Sequence, residues 1–293
     1  MIEKLPLVTV VVASYNHASY IEQCILSIVT QTYPRIELLV IDDGSTDDSV
    51  ERIIRLQKQY GFDFSSQQNK GLTHTLNEAI ARAKGVLIAP FGSDDIMVPE
   101  RIAKQVAYMQ NKPEVGICAG NIELIDSNGK LFPESRQRRD IEFRRLDFND
   151  VFMERKPYPP APTLLFRKEA LECVGGFDPE IRLEDLLIEL KITRAGYYID
   201  CLGEVLAQYR KHGSNSSKNT PFMVDSILRT YALFQDHPQY EFVRVRFLSS
   251  MFLKCSNRDR VYALQLLRQI PFRCWNKKTW RGLARLIFSP LEN

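Results

Sequence analysis

The sequence predicts an α/β fold with a mostly parallel central sheet flanked by helices, followed by a C-terminal helical extension. Apolar runs rich in β-branched residues alternate with helical patterns over roughly the first hundred residues, and the chain beyond about residue 215 is patterned as helices. The strand-like runs are apolar throughout, which is typical of strands buried on both faces. Because parallel neighbours need a helical crossover, this alternation indicates a sheet covered on both sides.

Three apolar runs and one weaker segment, at about 62–65, predict the first strands of the sheet. The runs lie at 7–13 (LVTVVVA), 36–41 (IELLVI) and 86–91 (VLIAPF). Later in the chain, YYIDCL and EVLAQYR predict two further strands, preceded by a helix near 184–195. The segments around 136–145 and 158–162 follow no regular pattern and are expected to form a variable region over a crevice.

Helix starts are predicted from capping residues. Ser19 with Glu22 forms a capping-box pattern before the first helix, and Ser45 or Thr46 is the expected N-cap of the second. A fourth helix is expected from about Pro99, since proline is tolerated in the first turn. The polar stretch GSNSSKNT at 213–220 is the expected domain boundary, which gives a domain at 1–215 and an extension at 216–293.

Composition limits the class of protein. The chain has 293 residues, of which 44% are hydrophobic, enough for one large α/β domain with an appendage. Its six cysteines are scattered without a CxxC pair, so a reduced, cytosolic environment is expected. The opening residues lead straight into a strand-like run, so no signal peptide is expected, and no apolar stretch approaches the length of a membrane span.

Charge is distributed unevenly along the chain. The net charge is +3, but between His237 and Asn293 eleven Lys or Arg residues face three acids. In this tail, Trp275 and Trp280 alternate with basic residues, so its expected partner is anionic. Two interpretations remain open: an amphipathic helix on an anionic membrane surface, or a basic helix packed on the preceding domain. Nucleic acid is not an expected partner, because apolar residues lie between the charges.

Polar residues follow the predicted strands where the strands end. These clusters are Ser14-Tyr15-Asn16, the DDGS run at 42–45, and Ser93-Asp94-Asp95. Ligands of parallel sheets bind at the carboxyl ends of the strands, so the three clusters are expected to meet at one edge. Adjacent carboxylates such as Asp94 and Asp95 suit a divalent cation, although for such a pair taken alone a solvated turn is the commoner explanation.

The motifs together resemble those of a known enzyme family. VVVASYNHASYIEQCILSI, LLVIDDGSTDDS and QNKGLTHTLNEAIARAKGVLIAPFGSDD occur in one order at consistent spacing, and VGGFDPEIRLEDLLIELKITRAGYYI and YRKHGSNSS follow. This series is similar to the family-2 glycosyltransferases with the Rossmann-like GT-A fold, of the kind that builds bacterial cell-surface polysaccharides. The resemblance covers most of 7–102 and parts of the later chain, and leaves the C-terminal tail without a counterpart.

The resemblance implies a nucleotide-sugar site in residues 1–110 and an acceptor-binding half in 111–215. The implied nucleotide-sugar contacts are Ser14, Tyr15, Asn16, Asp43, Asn69, Lys70, Gly71, Asp94 and Glu184. Asp43 would contact the base or ribose, and Lys70 the diphosphate. The implied ligands of Mn²⁺ or Mg²⁺ are Asp94, Asp95 and His212. The other histidines, at 17, 74 and 237, are expected to be ordinary.

The same resemblance implies that Asp185 is the catalytic base, although an acid there also suits the first turn of a helix. Two positions depart from the family pattern. Gly92 stands where many relatives have an acid two residues before Asp94, which puts the full ligand set in question. Leu76 stands where many have Arg, which removes one phosphate contact.

The implied activity is inverting transfer of a sugar from a nucleoside-diphosphate donor, with UDP as the implied nucleotide, to a hydroxyl of a glycan or polyprenyl-diphosphate-linked acceptor. One base without a second nucleophilic acid implies single displacement. The expected location is cytoplasmic, including the inner face of the cell membrane. Alternatives are a non-catalytic nucleotide-sugar-binding scaffold and a nucleotidyltransferase. The latter should show a Gly-rich loop after the first strand, and ASYNHAS contains no glycine.

Overall fold

The structure is a computed structural model that describes residues 5–137, 142–154, 158–181, 183–213 and 219–288. The chain divides into two compact units, Met1–Lys218 and Asn219–Asn293. The first unit contains the sheet, and the second is helical. All six cysteines lie within the described residues and are free.

The strands of the first unit are β1 (Val8–Ser14), β2 (Ile36–Asp42), β3 (Asp63–Ser66), β4 (Leu87–Gly92), β5 (Ile96–Met97), β6 (Val115–Ile125), β7 (Arg144–Leu146), β8 (Leu165–Arg167) and β9 (Tyr198–Arg210). Its helices are α1 (Ile21–Val29), α2 (Ser49–Tyr60), α3 (Leu72–Arg82), α4 (Arg101–Met109), α5 (Phe148–Phe152), α6 (Lys168–Cys173) and α7 (Glu184–Arg194). The predicted α/β architecture is confirmed.

The strands form one sheet, which has nine members among the described residues, in the order β3-β2-β1-β4-β8-β6-β9-β5 with β7 paired to β9. β1 is parallel to β2 and β4, and β6 is parallel to β9, whereas β8 is antiparallel to both β4 and β6. Six strands (β1, β2, β3, β4, β6 and β9) therefore run in one direction. Their carboxyl ends share one edge of the sheet.

Burial explains why the first strands are apolar throughout. Val8, Val10, Val11 and Val12 of β1 are fully buried, which requires cover on both faces of the sheet. Val10 and Val12 pack in one cluster with Ile25 of α1. Removing these side chains from water stabilises the sheet by about 25 cal/mol per Å² of apolar surface.

Local details differ from the capping predictions. The Ser19–Glu22 capping box is wrong: α1 begins at Ile21, and among the described residues no side chain caps it. Glu22 pairs instead with Arg55 of α2. Ser45 is not the cap of α2, which begins four residues later at Ser49. The reason is a tight loop in which the hydroxyl of Ser45 donates to Asp42 Oδ2 at 2.6 Å.

The two strands predicted from YYIDCL and EVLAQYR are one continuous strand, β9. Gly203, between the two runs, does not break the strand, because the pairing with β6 shifts register there. Asn121 Nδ2 donates to the Gly203 carbonyl at 2.8 Å within this irregular region. The bulge keeps β9 aligned as far as Arg210.

The second unit consists of α8 (Thr220–Ala232), α9 (Tyr240–Cys255), α10 (Arg260–Arg268) and α11 (Lys277–Phe288). Both α10 and α11 pack on α9. Asn219 and Asp259 cap α8 and α10, each accepting a backbone N–H three residues later. Among the described residues, no helix combines the length and apolarity that crossing a bilayer requires.

Candidate active site

The loop after β1 is held against the loop after β2. Asn16 N donates to Ser45 Oγ at 2.8 Å, and Asn16 Oδ1 accepts from Thr46 N at 2.8 Å. One residue on, His17 N donates to Ser49 Oγ at 3.0 Å. Asn16 has a φ of 53°, in the left-handed region that asparagine tolerates better than most residues. These bonds fix the backbone of residues 16 and 17 at the carboxyl edge.

The other two residues of this predicted cluster have different environments. Ser14 is fully buried, and its carbonyl accepts from Asp43 N at 2.8 Å. Tyr15 is 48% exposed. Of the side chains expected to approach the nucleotide, Tyr15 is therefore presented to solvent, whereas Ser14 supports the strand end.

Asp43 anchors the loop before α3. Its Oδ1 accepts from Gln67 Nε2 at 2.8 Å and from Lys70 N at 2.9 Å, and its Oδ2 accepts from Gly71 N at 2.8 Å. Burial opposes ionisation of this carboxyl, but the bonds from Gln67 and the two backbone N–H groups outweigh it and lower the pKa of Asp43. The structure thus brings together Asp43, Lys70 and Gly71, three of the residues expected at the nucleotide site.

The remaining residues of that loop face outward. Asn69 is exposed, and its backbone N lies only 2.8 Å from the position that a Cβ on Gly44 would take, so glycine is required for this close approach. Lys70 Nζ lies 3.5 Å from Glu78 Oε2 in an exposed ion pair. Such a pair is weak, so the ammonium can be drawn to another anion.

Asp94 lies in a cluster with two histidines. His212 Nε2 is 2.8 Å from Asp94 Oδ2, and His17 Nδ1 is 2.7 Å from Ser93 Oγ. Each of three residues, His17, Asp94 and His212, offers one ligand atom, and these three atoms all lie within 4.8 Å of one another. Tyr20 packs near both imidazoles, with its ring centroid 4.9 Å from that of His212 and 5.8 Å from that of His17.

Asp95 has a different environment from Asp94. It is 2% exposed, and its Oδ1 accepts from Arg210 N at 2.8 Å. Burial and the neighbouring Asp94 raise the pKa of Asp95, against the hydrogen bond and charge of Arg210. Among the described residues, the group with metal-ligand spacing does not include Asp95. Its role as a ligand therefore stays a prediction.

Arg210 compensates the adjacent carboxylates. The side chain is buried; its Nε donates to the Asp94 carbonyl at 2.7 Å, and its terminal NH₂ donates to Gln23 Oε1 at 2.7 Å. Its guanidinium also lies over the ring of Tyr20, 5.0 Å from the centroid. Arg210 ends β9, so this strand delivers both Arg210 and His212 to the Asp94 turn.

Gly92 explains how the two carboxylates fit at the strand end. A Cβ at this position would lie 2.9 Å from Asp94 Oδ1 and 3.0 Å from Asp95 Oδ2. The glycine therefore gives both carboxylates room to fold back over the end of β4. A side chain here, such as the acid found in many relatives, would require the aspartates to move.

Glu184 and Asp185 form the first turn of α7. This helix leads into β9 through a short turn, so its first turn faces the edge at which the parallel strands end. Burial beside Asp185 raises the pKa of Glu184 to about 8, and burial also raises the pKa of Asp185. A base with a raised pKa holds a proton more strongly near neutral pH than an ordinary carboxylate does.

The loop before α7 is fixed by α3. Asn77 Nδ2 donates to the Phe177 carbonyl at 2.7 Å, and Phe177 N donates to Asn77 Oδ1 at 3.0 Å. Leu76, the other departure from the family pattern, is 3% exposed and belongs to the core. Its side chain therefore packs in the core and not at the edge where the parallel strands end.

Two residues of this site were missed from the sequence. His17 was expected to be ordinary, although it directly follows the SYN cluster. Arg210 was read only as part of a strand, although it stands two residues before His212. In the sequence, the one sign of either role was that the residue stands next to a motif. The contacts themselves join residues distant in sequence: His17 contacts Ser93, 76 residues away, and Arg210 contacts Asp94, 116 residues away.

A mostly parallel sheet with paired aspartates at its carboxyl edge agrees with the GT-A fold that the sequence resemblance predicts. The model of the family "Glycosyl transferase family 2" matches residues 9–175, more than half of the chain. The chain therefore belongs to glycosyl transferase family 2.

Curated relatives carry the same assignment. An uncharacterised glycosyltransferase of Nostoc sp. is 29% identical over 225 residues, which cover 71% of this chain and 66% of that protein. One of Haemophilus influenzae is 30% identical over 226 residues, which cover 73% of this chain and 68% of that protein. The O-antigen biosynthesis glycosyltransferase WbnJ of Escherichia coli is 29% identical over 223 residues, covering 73% of this chain and 84% of WbnJ.

Solved structures share the fold. Staphylococcus aureus TarS, in complex with UDP-GlcNAc, has a TM-score of 0.69 at 17% identity, over 92% of this chain and 82% of that one. The mannosyltransferase PcManGT of Pyrobaculum calidifontis, in complex with GDP-Man and Mn²⁺, has a TM-score of 0.62 at 18% identity, over 98% and 88%.

Proposed function

We propose that this glycosyltransferase is a metal-dependent, inverting enzyme that moves a sugar from a nucleoside-diphosphate donor to a hydroxyl acceptor. The observation that carries the proposal is the convergence of Asp94, His212 and the loop anchored by Asp43 at the carboxyl edge of the sheet. Residues 1–215 form the proposed catalytic domain. Ligands of parallel sheets bind at this edge.

The donor class is supported by the relatives. TarS and PcManGT are described in complex with UDP-GlcNAc and GDP-Man. In this chain, Tyr15 is exposed beside the loop of Asp43, and the ammonium group of Lys70 forms a weak, exposed ion pair with Glu78. We assign Tyr15 to the nucleoside and Lys70 to the diphosphate, with UDP as the nucleotide, and Asn16, Asn69 and Gly71 as the surrounding loop contacts.

The residues present fit a divalent cation. Asp94 Oδ2 and His212 Nε2 are 2.8 Å apart, close to the separation of about 3 Å between neighbouring ligands of an octahedral ion. Both side chains lie beside the loops assigned to the donor. When bound, the metal supplies positive charge that stabilises the leaving diphosphate. Asp95, held by Arg210, is assigned to orienting this turn.

Asp185 is the proposed base. As the acceptor oxygen attacks the anomeric carbon, its proton passes to the Asp185 carboxylate, and the bond from that carbon to the diphosphate breaks on the opposite face. One displacement of this kind inverts the anomeric configuration. Glu184, whose pKa is about 8, stays largely protonated below that pH and can donate a hydrogen bond to the sugar without adding charge beside Asp185.

The acceptor class is proposed from the named relatives. WbnJ is an O-antigen biosynthesis glycosyltransferase, and AmsE of Erwinia amylovora, 25% identical over 251 residues, is an amylovoran biosynthesis glycosyltransferase. A glycan or polyprenyl-diphosphate-linked acceptor in cell-surface polysaccharide synthesis follows for this chain. The proposed location is the cytoplasmic side of the cell membrane.

A donor panel tests the activity. The protein is incubated with UDP-, GDP- and dTDP-sugars, and released nucleoside diphosphate is measured with Mn²⁺, with Mg²⁺ and with excess EDTA. The expected result is slow, metal-dependent release from one donor that accelerates with acceptor glycan. Tight donor binding without release under any condition would favour the scaffold alternative. Full release in EDTA, after bound metal is excluded, would contradict metal dependence.

The second unit has a surface suited to an anionic membrane. Phe272, Trp275 and Trp280 form an aromatic cluster, with Trp275 4.9 Å from Phe272 and 5.0 Å from Trp280 between ring centroids. Phe272 is 73% exposed and Trp280 52%. Helix α11 buries Thr279 and Gly282, the latter against Phe252 of α9. Its outer face therefore keeps its apolar residues in solvent.

Basic residues lie beside this aromatic cluster, and together they form one aromatic–basic surface. Lys277, Lys278, Arg281 and Arg285 lie on α11, which contains no acid. Exposed Ile287 follows Trp280 by seven residues, so both lie on the same side of the helix. Aromatic rings beside Lys and Arg suit the interface of an anionic bilayer. We assign this surface to membrane docking.

Vesicle sedimentation tests the docking. The protein should bind vesicles that contain anionic phosphatidylglycerol, and this binding should weaken as the salt concentration rises. It should bind vesicles of neutral phosphatidylcholine poorly. The double variant Trp280→Ser/Arg281→Glu should lose this binding, whereas Val261→Ser, which removes an exposed apolar side chain from α10, should retain it. Equal sedimentation of both variants would rule out this surface as the anchor.

A further inference from the structure

The histidine that directly follows the SYN cluster has the geometry of a metal ligand. His17, Asp94 and His212 offer ligand atoms that all lie within 4.8 Å of one another. His17 belongs to the loop after β1, whereas Asp94 and His212 each lie two residues after the end of a strand, β4 and β9 respectively. Three separate segments of the fold therefore place these donors together.

The position of His17 is fixed through its backbone and its ring. Its backbone N–H is bonded to Ser49 Oγ, and the preceding Asn16 is bonded to Ser45 and Thr46. Its ring is nearly perpendicular to that of His212, with centroids 5.7 Å apart and an interplanar angle of 89°. Two imidazoles at this angle can direct one nitrogen each at a shared point.

Ser93 provides the support that metal-bound histidines usually have. Such histidines donate their other ring N–H to an acceptor, which fixes the tautomer and the ring orientation. His17 Nδ1 lies 2.7 Å from Ser93 Oγ, and Ser93 is 2% exposed. With the proton on Nδ1, the lone pair is on Nε2. This tautomer leaves Nε2 able to bind a metal ion.

We propose that His17 is the third protein ligand of the metal, with Asp94 and His212. The imidazoles of His17 and His212 then select a transition-metal dication such as Mn²⁺ over Mg²⁺. This inference rests on the metal site of the proposed function and adds to it a residue and a selectivity. The three ligand atoms lie within 4.8 Å of one another, whereas opposite ligands of one ion lie roughly 4.2 Å apart, so binding would need a slight inward turn of the His17 ring on its fixed backbone. Imidazole nitrogen is a softer donor than the oxygens that Mg²⁺ prefers.

Metal binding without donor or acceptor tests the proposal. Mn²⁺ is titrated into the full-length protein and free Mn²⁺ is followed by electron paramagnetic resonance, for wild type, His17→Gln, Asp94→Asn and the control His74→Gln, in which an exposed histidine of α3 is changed. His17→Gln should weaken Mn²⁺ binding by on the order of tenfold or more and weaken Mg²⁺ binding less. His74→Gln should bind both ions as the wild type does.

A second readout needs no variant. Pulsed paramagnetic resonance of Mn²⁺ bound to the wild-type protein should show hyperfine couplings from two imidazole nitrogens. One coupled imidazole, or an unchanged Mn²⁺ affinity and Mn²⁺/Mg²⁺ ratio in a folded His17→Gln protein, would overturn the role of His17 while Asp94→Asn still abolishes binding. Unchanged binding in Asp94→Asn would instead overturn the metal site itself, and the proposal with it.

Discussion

Replacing Asp43 with asparagine should destabilise the first unit and weaken nucleotide binding together. The carboxylate accepts three hydrogen bonds, at 2.8 to 2.9 Å, from Gln67 and from the backbone N–H groups of Lys70 and Gly71. Asparagine keeps one acceptor oxygen and turns an NH₂ group toward a donor. At least one charge-assisted bond is lost and the others become neutral, which costs about 2–4 kcal/mol in the free energy of unfolding.

The assay is urea unfolding of Asp43→Asn beside Asp48→Asn, with nucleotide affinity measured by calorimetry on the same proteins. Asp48 is exposed and its side chain does not cap α2, so its variant should stay within roughly 0.5 kcal/mol of wild type. Because the folded-state pKa of Asp43 is lowered, its contribution should be present above its ordinary pKa of 3.8 and disappear as the pH falls further. Loss of affinity with unchanged stability would refute the anchoring role and favour direct contact with the nucleoside.

Three further predictions concern the same edge of the sheet. Because Glu184 is proposed to contact the sugar in its protonated form and its pKa is raised to about 8, kcat/KM should fall as the pH rises through about 8, and Glu184→Gln should remove that fall. The wild type should also lose stability relative to Glu184→Gln as the pH rises from 4.5 through 8. Gly92→Ala places a Cβ 2.9 Å from Asp94 Oδ1 and should weaken Mn²⁺ binding by about tenfold, measured by titration, with an unchanged affinity counting against the packing argument. Arg210→Lys keeps the charge but loses the fork that joins Asp94 to Gln23, so urea unfolding should show a loss of about 2–4 kcal/mol, and a loss under 0.5 kcal/mol would contradict this role.

The sheet could be predicted from the sequence because each strand carries its own signal. The runs of β1, β2 and β4 are apolar on both faces, and their positions follow within one or two residues. Helix starts were less predictable. Ser19 and Ser45 suit an N-cap equally well as isolated residues, and only the loop geometry decides that Ser45 bonds to Asp42 instead.

The site was predicted as a set of motifs, but not as a set of contacts. Asp43, Lys70 and Gly71, which the family resemblance assigns to one site, meet because two neighbouring strand ends bring them together. The burial of Asp95 under Arg210 could not be read from the sequence, since it depends on the register of β9. His17 was overlooked for the same reason: its partner Ser93 follows a strand that is adjacent in space and distant in sequence.

The most direct test of the proposed transfer is turnover of Asp185→Asn on the donor that the wild type uses. Asparagine keeps the size of the side chain but cannot take the acceptor proton, so transfer should fall by on the order of 10²–10⁴. Nucleotide affinity and melting temperature should stay near wild type, as they should in the control Glu172→Gln, which changes an exposed acid of α6 and should turn over normally. Turnover of Asp185→Asn near the wild-type rate would contradict the assignment of the base and, with it, the proposed inverting mechanism.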